Sequence, residues 1–403
     1  LGLNQTAQPS ERVTLGIIGV GSRGVQLIHA FLGFPNAQIL AVCDPYRSKC
    51  EEAKNLIETH YGSGQGSYTG CATYTDFREL IARPDIDAVV VASPEHWHGI
   101  HGAMAAEAGK DIYGEKALTL TVSEGRALAN EVRRYGRVFQ VGLQQRSRND
   151  FRFACELARN GYVGRLHTIQ VGVPGGRSLP NVAPAPVPPD LDYEMWLGPA
   201  PYTPYNELKC TFNWYFMYDY CVGWIQSWGV HHIDTAQWGA PSLATGQLRV
   251  KGTATFPTTG LADTSLTWRV ECRTENDLLL RFSDDGYYEH GCRFEGSEGW
   301  VHISREVMKA EPPSLLKVVI KPEDEHLYDS QNHQANFLEC VRTRREPAAP
   351  VEAGHTATTI TILADIATRL GRELLWDWES ERFVSDEDAN RILARPMRAP
   401  WAI

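Results

Sequence analysis

Short apolar runs alternate with amphipathic stretches through the first 145 residues of the chain. Residues 13–18 (VTLGII) are apolar and rich in β-branched side chains, as a strand buried on both faces requires. Leu27, Ile28, Phe31 and Leu32 follow at helical spacing, and a second apolar run, 38–43, ends in Asp44. AVVVASP (88–94) reads as a third buried strand with a helix behind it over 99–108. DIYGEKA (111–117) reads as a strand and a loop, 121–134 suit a helix, and VFQVGLQQRS (138–147) closes the series with a strand. Elements alternating at this length predict an α/β region with a parallel, doubly wound sheet.

After residue 148 the rhythm changes. RFACELARNGYVG reads as a helix ended by Gly161, LHTIQVGV as a strand, and 174–204 as an irregular excursion rich in proline and glycine. TFNWYFMYDYCVGW (211–224) is a run of aromatic residues suited either to sugar faces or to an interface. From 247 onward, QLRVKGTATF, TSLTWRVECR, DLLLRFSD, HGCRFEG and GWVHISR alternate apolar and polar residues, predicting an open, mostly antiparallel sheet with one wet face. Helices over about 331–343 and 353–371 pack back, and a tail follows. The expected division is an arm over 1–11, a first domain over 12–146, an α+β domain over 147–385 and a tail over 386–403.

Composition narrows the function. A net charge of −10 argues against nucleic acid, whose phosphates demand a basic face. No apolar run reaches the roughly 20 residues of a membrane span. The nine cysteines are scattered without a C-x-x-C pair, so they read as reduced core thiols. The chain begins LGLNQTAQPSERVT without methionine, which leaves export with a removed leader as one reading and a cytoplasmic protein as the other.

The first chemistry lies between the first strand and helix. Gly19-x-Gly21-x-x-Gly24 stands there, and Asp44 follows Gly24 by 20 residues at the end of the second strand. Gly19 permits the tight turn, Gly21 lets backbone approach a pyrophosphate, and Gly24 lets helix and strand pack closely. Asp44 suits a ribose 2′-hydroxyl and repels a 2′-phosphate, favouring NAD over NADP, although Arg47 lies close enough to weaken the preference. Ligands of such sheets sit at the carboxyl ends of the strands, where SPEHWH (93–98), GEKA (114–117) and QQRS (144–147) all fall. The cofactor candidates are therefore Gly19, Gly21, Ser22, Arg23, Gly24, Asp44, Ser93, Pro94, Trp97, His98, Glu115 and Gln144.

The glycine fingerprint, Ser93-Pro94 with His98 four residues on, and Glu115-Lys116 resemble the glucose–fructose oxidoreductase / inositol dehydrogenase / MocA (Gfo/Idh/MocA) family. WLGPAP (196–201), GVHHID (229–234) and NFLECVRTRREP (336–347) are similar to its sugar-active, often exported branch. The resemblance runs from about residue 12 to the C-terminus. It implies a homo-oligomer, dimer or tetramer, with NAD as cofactor, a carbohydrate as substrate, and Lys116 beside the nicotinamide. Ala117 stands where the family's Glu-Lys-Pro loop has proline, so a less stiff loop is expected. The family's Asp-x-Gly-x-His pattern matches at Gly229 and His231, but Ser227 occupies the aspartate position.

SWGVHHIDTAQWG (227–239) then asks which chemistry it serves. Adjacent helical histidines point about 100° apart, so His231 and His232 cannot share one metal ion, and no third ligand accompanies His231 and Asp234. No metal site is expected. Trp228 and Trp238 read as packing. His231 is the acid–base candidate, with an ordinary pKa near neutrality and Asp234 one turn later to orient it. Lys116 is the second catalytic candidate, because an amine partly buried beside a cationic ring gives up its proton more readily. Arg146, Tyr220 and His232 are the substrate-binding candidates.

Three functions stay open at this level. One is an NAD-dependent oxidoreductase acting on a ring hydroxyl of a sugar, glycoside or cyclitol. Another is a redox-neutral glycoside hydrolase working by C3 oxidation, elimination, water addition and re-reduction, favoured by Ser227 and by export away from free NAD. The third is a non-catalytic sensor, against which both Lys116 and His231 count.

Overall fold

A computed structural model describes residues 11–63 and 68–403; the arm expected over 1–11 lies outside these but for its last residue. The first sheet contains β1 (Val13–Ile18), β2 (Ala37–Cys43), β3 (Ala72–Tyr74), β4 (Ala88–Val91), β5 (Asp111–Gly114) and β6 (Phe139–Val141). All pair in parallel in the order β3-β2-β1-β4-β5-β6, the doubly wound arrangement. β4 shows why such strands read as unbroken apolar runs. Val89 and Val91 face one apolar cluster, with Ile100 and Leu128, while Ala88 and Val90 face another, with Leu27, Ile28 and Phe31. The helix His333–Thr343 returns to this second cluster through Phe337 and Leu338.

The second sheet has nine strands: β7 (Leu166–Val173), β8 (Gln247–Thr255), β9 (Thr267–Thr274), β10 (Leu279–Asp284), β11 (Gly291–Gly296), β12 (Gly299–Ile303), β13 (Met308–Glu311), β14 (Leu374–Asp377) and β15 (Arg382–Phe383). Their order is β13-β12-β11-β7-β10-β9-β8-β14-β15, and only β7 with β10 runs parallel. One face buries Trp268, Val270 and Cys272 of β9 under helix Val351–Leu370, while helix Gly229–Gly239 covers β7 and β11 on the same sheet. The wet face carries cross-strand ion pairs such as Lys251 with Glu271 at 3.4 Å. All nine cysteines are buried and unpaired. Among the described residues no helix is long and apolar enough to cross a membrane.

Several elements differ from the sequence reading. The run 88–94 stops being strand at Val91, where the chain turns through Ser93-Pro94 into the cleft. The strand expected over 138–147 shrinks to Phe139–Val141, followed by a helical turn at Gln144–Ser147. The helix Arg47–Gly62 and the short strands β14 and β15 are additions, the strands too brief to display a period.

The excursion read over 174–204 has a small core of its own, with Leu191, Tyr193, Trp196 and Leu197 packed on Met217 and Tyr220. It crosses the carboxyl edge of the first sheet as a strap. Arg47 N–H donates to Asp190 O (3.0 Å), Asp192 N–H to Pro45 O (2.9 Å), and Ser48 Oγ to the Asp190 carboxylate (2.6 Å). The tail clamps the strap from outside: Arg398 donates to Gly198 O, and Trp401 packs edge-on against Trp97.

Candidate active site

One cleft of about 570 Å³ opens between the two sheets at the carboxyl ends of the parallel strands. Its floor is the glycine turn. Gly19 has φ of +89°, and a Cβ there would lie 2.6 Å from Ala92 and Ser93 backbone, so the β1 and β4 loops touch only because it has none. A Cβ on Gly24 would lie 2.0 Å from Gly19 O, whereas one on Gly21 would meet nothing within 4 Å. Gly21 thus faces open cleft at the start of helix Ser22–Leu32, whose first N–H groups have no side-chain cap. Uncapped donors at a helix N-terminus attract an anion. Asp44 is locked at the cleft wall: one carboxylate oxygen accepts from Val20 N–H (2.9 Å), the other from Tyr46 N–H (3.0 Å). The cation facing this end is Lys49; Arg47 does not line the cleft. These residues fit a dinucleotide: a glycine approach, an anion-seeking helix end and a fixed carboxylate for a ribose.

The strand-end loops form a rigid set. His98 places one ring nitrogen 2.7 Å from Ala117 O and the other 2.8 Å from Ser93 O, tying two loops together. Although His98 is at the wall, both nitrogens are committed to protein, so it positions the loops. Trp97 donates to Met195 O and Trp196 O at 3.1 and 3.2 Å and fixes the strap. Ser93 Oγ is 3.0 Å from His101 Nδ1. Pro94 starts the turn and lines the cleft. Glu115 accepts from Arg23 Nε (2.8 Å) and Gln144 Nε2 (3.2 Å), joining the glycine turn to two further strand ends. Ala117 stands where proline was expected. Its N–H donates to the buried Glu95 carboxylate at 3.3 Å, a bond proline could not make, and its side chain is fully buried.

Lys116 reaches the opposite lobe. Its Nζ donates to Ser227 O and Ser227 Oγ, both at 3.0 Å, on the turn leading into helix Gly229–Gly239. His231 lines the same end of the cleft. Burial holds its pKa well below the ordinary histidine value, and the nearby charges of Lys116 and Arg305 push the same way, so the ring is neutral near pH 7. The ordinary value expected from the sequence is thereby corrected.

Three substrate-binding candidates lie elsewhere. His232, 100° further round the helix, is fully buried against Phe151 and His290. Tyr220 packs against Trp196 and His96 beneath the strap, with its hydroxyl 3.2 Å from Thr203 Oγ1. Arg146 forms a bidentate pair with Asp234, at 2.8 Å from both Nε and Nη2. Asp234 is therefore spent on Arg146 and does not orient His231. In their place the cleft presents Trp214, Tyr215, Trp224, Trp228 and Arg305. The aromatic run 211–224 was the sequence signal for the rings; nothing local announces Arg305, which arrives from a distant hairpin.

Comparison with known proteins places these observations. Residues 13–143 match the oxidoreductase family's NAD-binding Rossmann fold, and residues 176–403 match the same family's C-terminal alpha/beta domain. The uncharacterized oxidoreductase YrbE of Bacillus subtilis is 28% identical over 189 residues, 47% of this chain and 49% of that one. An alpha-N-acetylgalactosaminidase of Shewanella oneidensis is 33% identical over 118 residues, 29% of this chain and 25% of that one. The chain thus spans half or less of the length of these relatives. The WlbA dehydrogenase of Bordetella pertussis, solved in complex with NADH and UDP-GlcNAcA, superposes with a TM-score of 0.65 at 16% identity, over 90% of this chain and 98% of that one. That likeness is one of fold.

Proposed function

The chain belongs to the Gfo/Idh/MocA oxidoreductase family, and from that premise we propose that it oxidises a ring hydroxyl of a sugar, glycoside or cyclitol using bound NAD. The observation that carries this reading is that Lys116 of one lobe and His231 of the other line one cleft with the glycine turn. Gly21, the helix start at Ser22 and Asp44 would hold the dinucleotide. NAD, when bound, supplies the hydride acceptor. The remaining chemistry is proton handling by the chain. An ammonium has three donors; Lys116 spends two on Ser227, leaving one for a substrate oxygen. The neutral His231 is then free to take the hydroxyl proton. Trp228 and Tyr215 line the cleft as aromatic walls for a sugar ring. We assign cofactor binding to residues 12–146 and substrate binding with homo-oligomer formation to residues 147–385.

A second reading is a redox-neutral glycoside hydrolase. Two observations favour it: Ser227 stands beside Lys116 where a carboxylate is expected, and the strap bonded to residues 45–48 covers the cleft, which suits a cofactor retained through turnover. The relative named alpha-N-acetylgalactosaminidase is consistent with it. Purified protein incubated with free sugars plus NAD, and separately with aryl glycosides, decides between the two. Stoichiometric NADH absorbance from free sugars supports the oxidoreductase; aglycone release without net NADH supports the hydrolase. Neither signal with any substrate would overturn both.

A further inference from the structure

One charge in the cleft, that of Arg305, has no part in this chemistry. Arg305 sits in the turn between β12 and β13, and that turn is rigid. Ser304 N–H donates to Val307 O (2.8 Å), Ser304 Oγ accepts from Glu306 N–H and Val307 N–H (both 3.2 Å), and Arg305 O accepts from Arg148 (3.1 Å). The guanidinium lies 5.1 Å from the centre of the Trp228 ring at the cleft wall, close enough to His231 to affect its proton affinity. Every neighbouring arginine has an acid: Arg23 holds Glu115, Arg146 holds Asp234 and Arg148 holds Asp150. Arg305 has none. Among the described residues no carboxylate or carbonyl accepts from its guanidinium, and the adjacent Glu306 accepts from Ser304 Oγ instead.

A half-buried guanidinium whose donors meet no acceptor gains most from an anion that can take them. The cofactor's phosphates do not answer this need, since the glycine turn and the helix start of the other lobe serve them. Arg305 comes from the sheet lobe and lines the cleft close to His231. A guanidinium forks onto carboxylate or phosphate oxygens with two parallel hydrogen bonds. The Trp228 ring fixes the guanidinium from beneath and leaves its donors available.

We propose that Arg305 is a substrate-recognition residue, and that the preferred substrate is an acidic carbohydrate whose oxyanion substituent binds the guanidinium while a ring hydroxyl lies between Lys116 and His231. This rests on the carbohydrate reading above and specifies its substrate class. The test is calorimetric titration of the NAD-loaded protein with neutral sugars and their acidic counterparts: glucose against glucuronate and glucose 6-phosphate, and galactose against galacturonate. Wild type binds the acidic member of a pair about 10- to 100-fold more tightly, the range of a charged hydrogen bond. Whether glucuronate or glucose 6-phosphate gains more identifies carboxylate or phosphate as the oxyanion. Arg305→Gln loses that preference while retaining its melting temperature, NAD affinity and affinity for the neutral sugar; Arg305→Lys recovers part of it. Equal binding of neutral and acidic sugars, or a preference that survives in Arg305→Gln, overturns the assignment and leaves the carbohydrate reading intact. Weakened NAD binding in Arg305→Gln transfers the residue to the cofactor and overturns it as well. NAD binding without binding of any sugar removes the carbohydrate reading itself, and the assignment with it.

Discussion

Adding one methyl group at either of two glycines, three positions apart, should separate cofactor binding from folding. At Gly21 the backbone has φ of −66° and ψ of −170°, which any residue adopts, and a Cβ would touch no protein atom within 4 Å. Alanine is a poorer N-cap than glycine by about 0.5–1 kcal/mol, but removing a glycine lowers unfolded-chain entropy by a similar 0.4–1 kcal/mol. Gly21→Ala should therefore melt within about 1 kcal/mol of wild type. The methyl instead occupies the space that backbone needs to meet a pyrophosphate. Overpacking of about 1–3 kcal/mol converts to a 5- to 150-fold rise in the NAD dissociation constant. At Gly24 the same methyl lies 2.0 Å from Gly19 O, a backbone atom that cannot yield without parting helix from strand. Gly24→Ala should lose about 1–3 kcal/mol of stability or more. Urea melts and NAD titration by tryptophan fluorescence on both variants read the two quantities. A Gly21→Ala protein that folds and binds NAD like wild type would refute the reasoning; so would two variants with the same profile.

Three further outcomes follow from the same geometry. Lys116→Ala and His231→Ala should each lower turnover about 10²- to 10⁴-fold with the NAD dissociation constant unchanged, measured on whichever substrate class proves active; an unimpaired variant removes its residue from the chemistry. Arg146→Ala leaves Asp234, 1% exposed, without its partner and should cost about 3–5 kcal/mol in a thermal melt, whereas a substrate contact would raise KM with stability unchanged. Burial depresses the pKa of His96 to about 3 and His333 to about 4, and pushes His101, His231 and His232 well below their ordinary value. The unfolded chain therefore binds more protons below about pH 6.5, so the stability these groups contribute is complete above that pH and is lost as pH falls. His96 and His333 together should remove about 3 kcal/mol between pH 6.5 and 5, with the other three adding to it. A melting temperature flat across that interval would contradict the burial of neutral rings.

What the sequence disclosed depended on how local each signal is. The turn Gly19–Gly24 with Asp44 declares itself because strand, turn, helix and acid sit within about thirty consecutive residues, each required by its neighbour. β4 and the β-alternation from 247 are equally legible, because one- or two-sided burial imposes a visible pattern. Lys116 is placed by topology, standing at a strand's carboxyl end. Side-chain aim is harder. His231 and His232 are neighbours in sequence, and helix rotation alone sends one to the cleft and the other to the core. Tyr215 and Tyr220 lie five residues apart in an irregular run with no period to tell the cleft ring from the packed one. Arg146 stands at a strand end like a ligand-binding residue, yet its partner Asp234 is 88 positions away. At Ala117 the missing proline leaves an N–H to be satisfied, and its acceptor, the buried Glu95 carboxylate, stands 22 positions upstream where a local reading does not reach.

Lys116 and His231 should meet one nicotinamide ring, and a crystal structure of the protein grown with NAD measures this directly. The expected density runs from Asp44 past Gly21 and ends with the ring beside Lys116 and His231. An empty cleft, or a ring lying away from both residues, would contradict it.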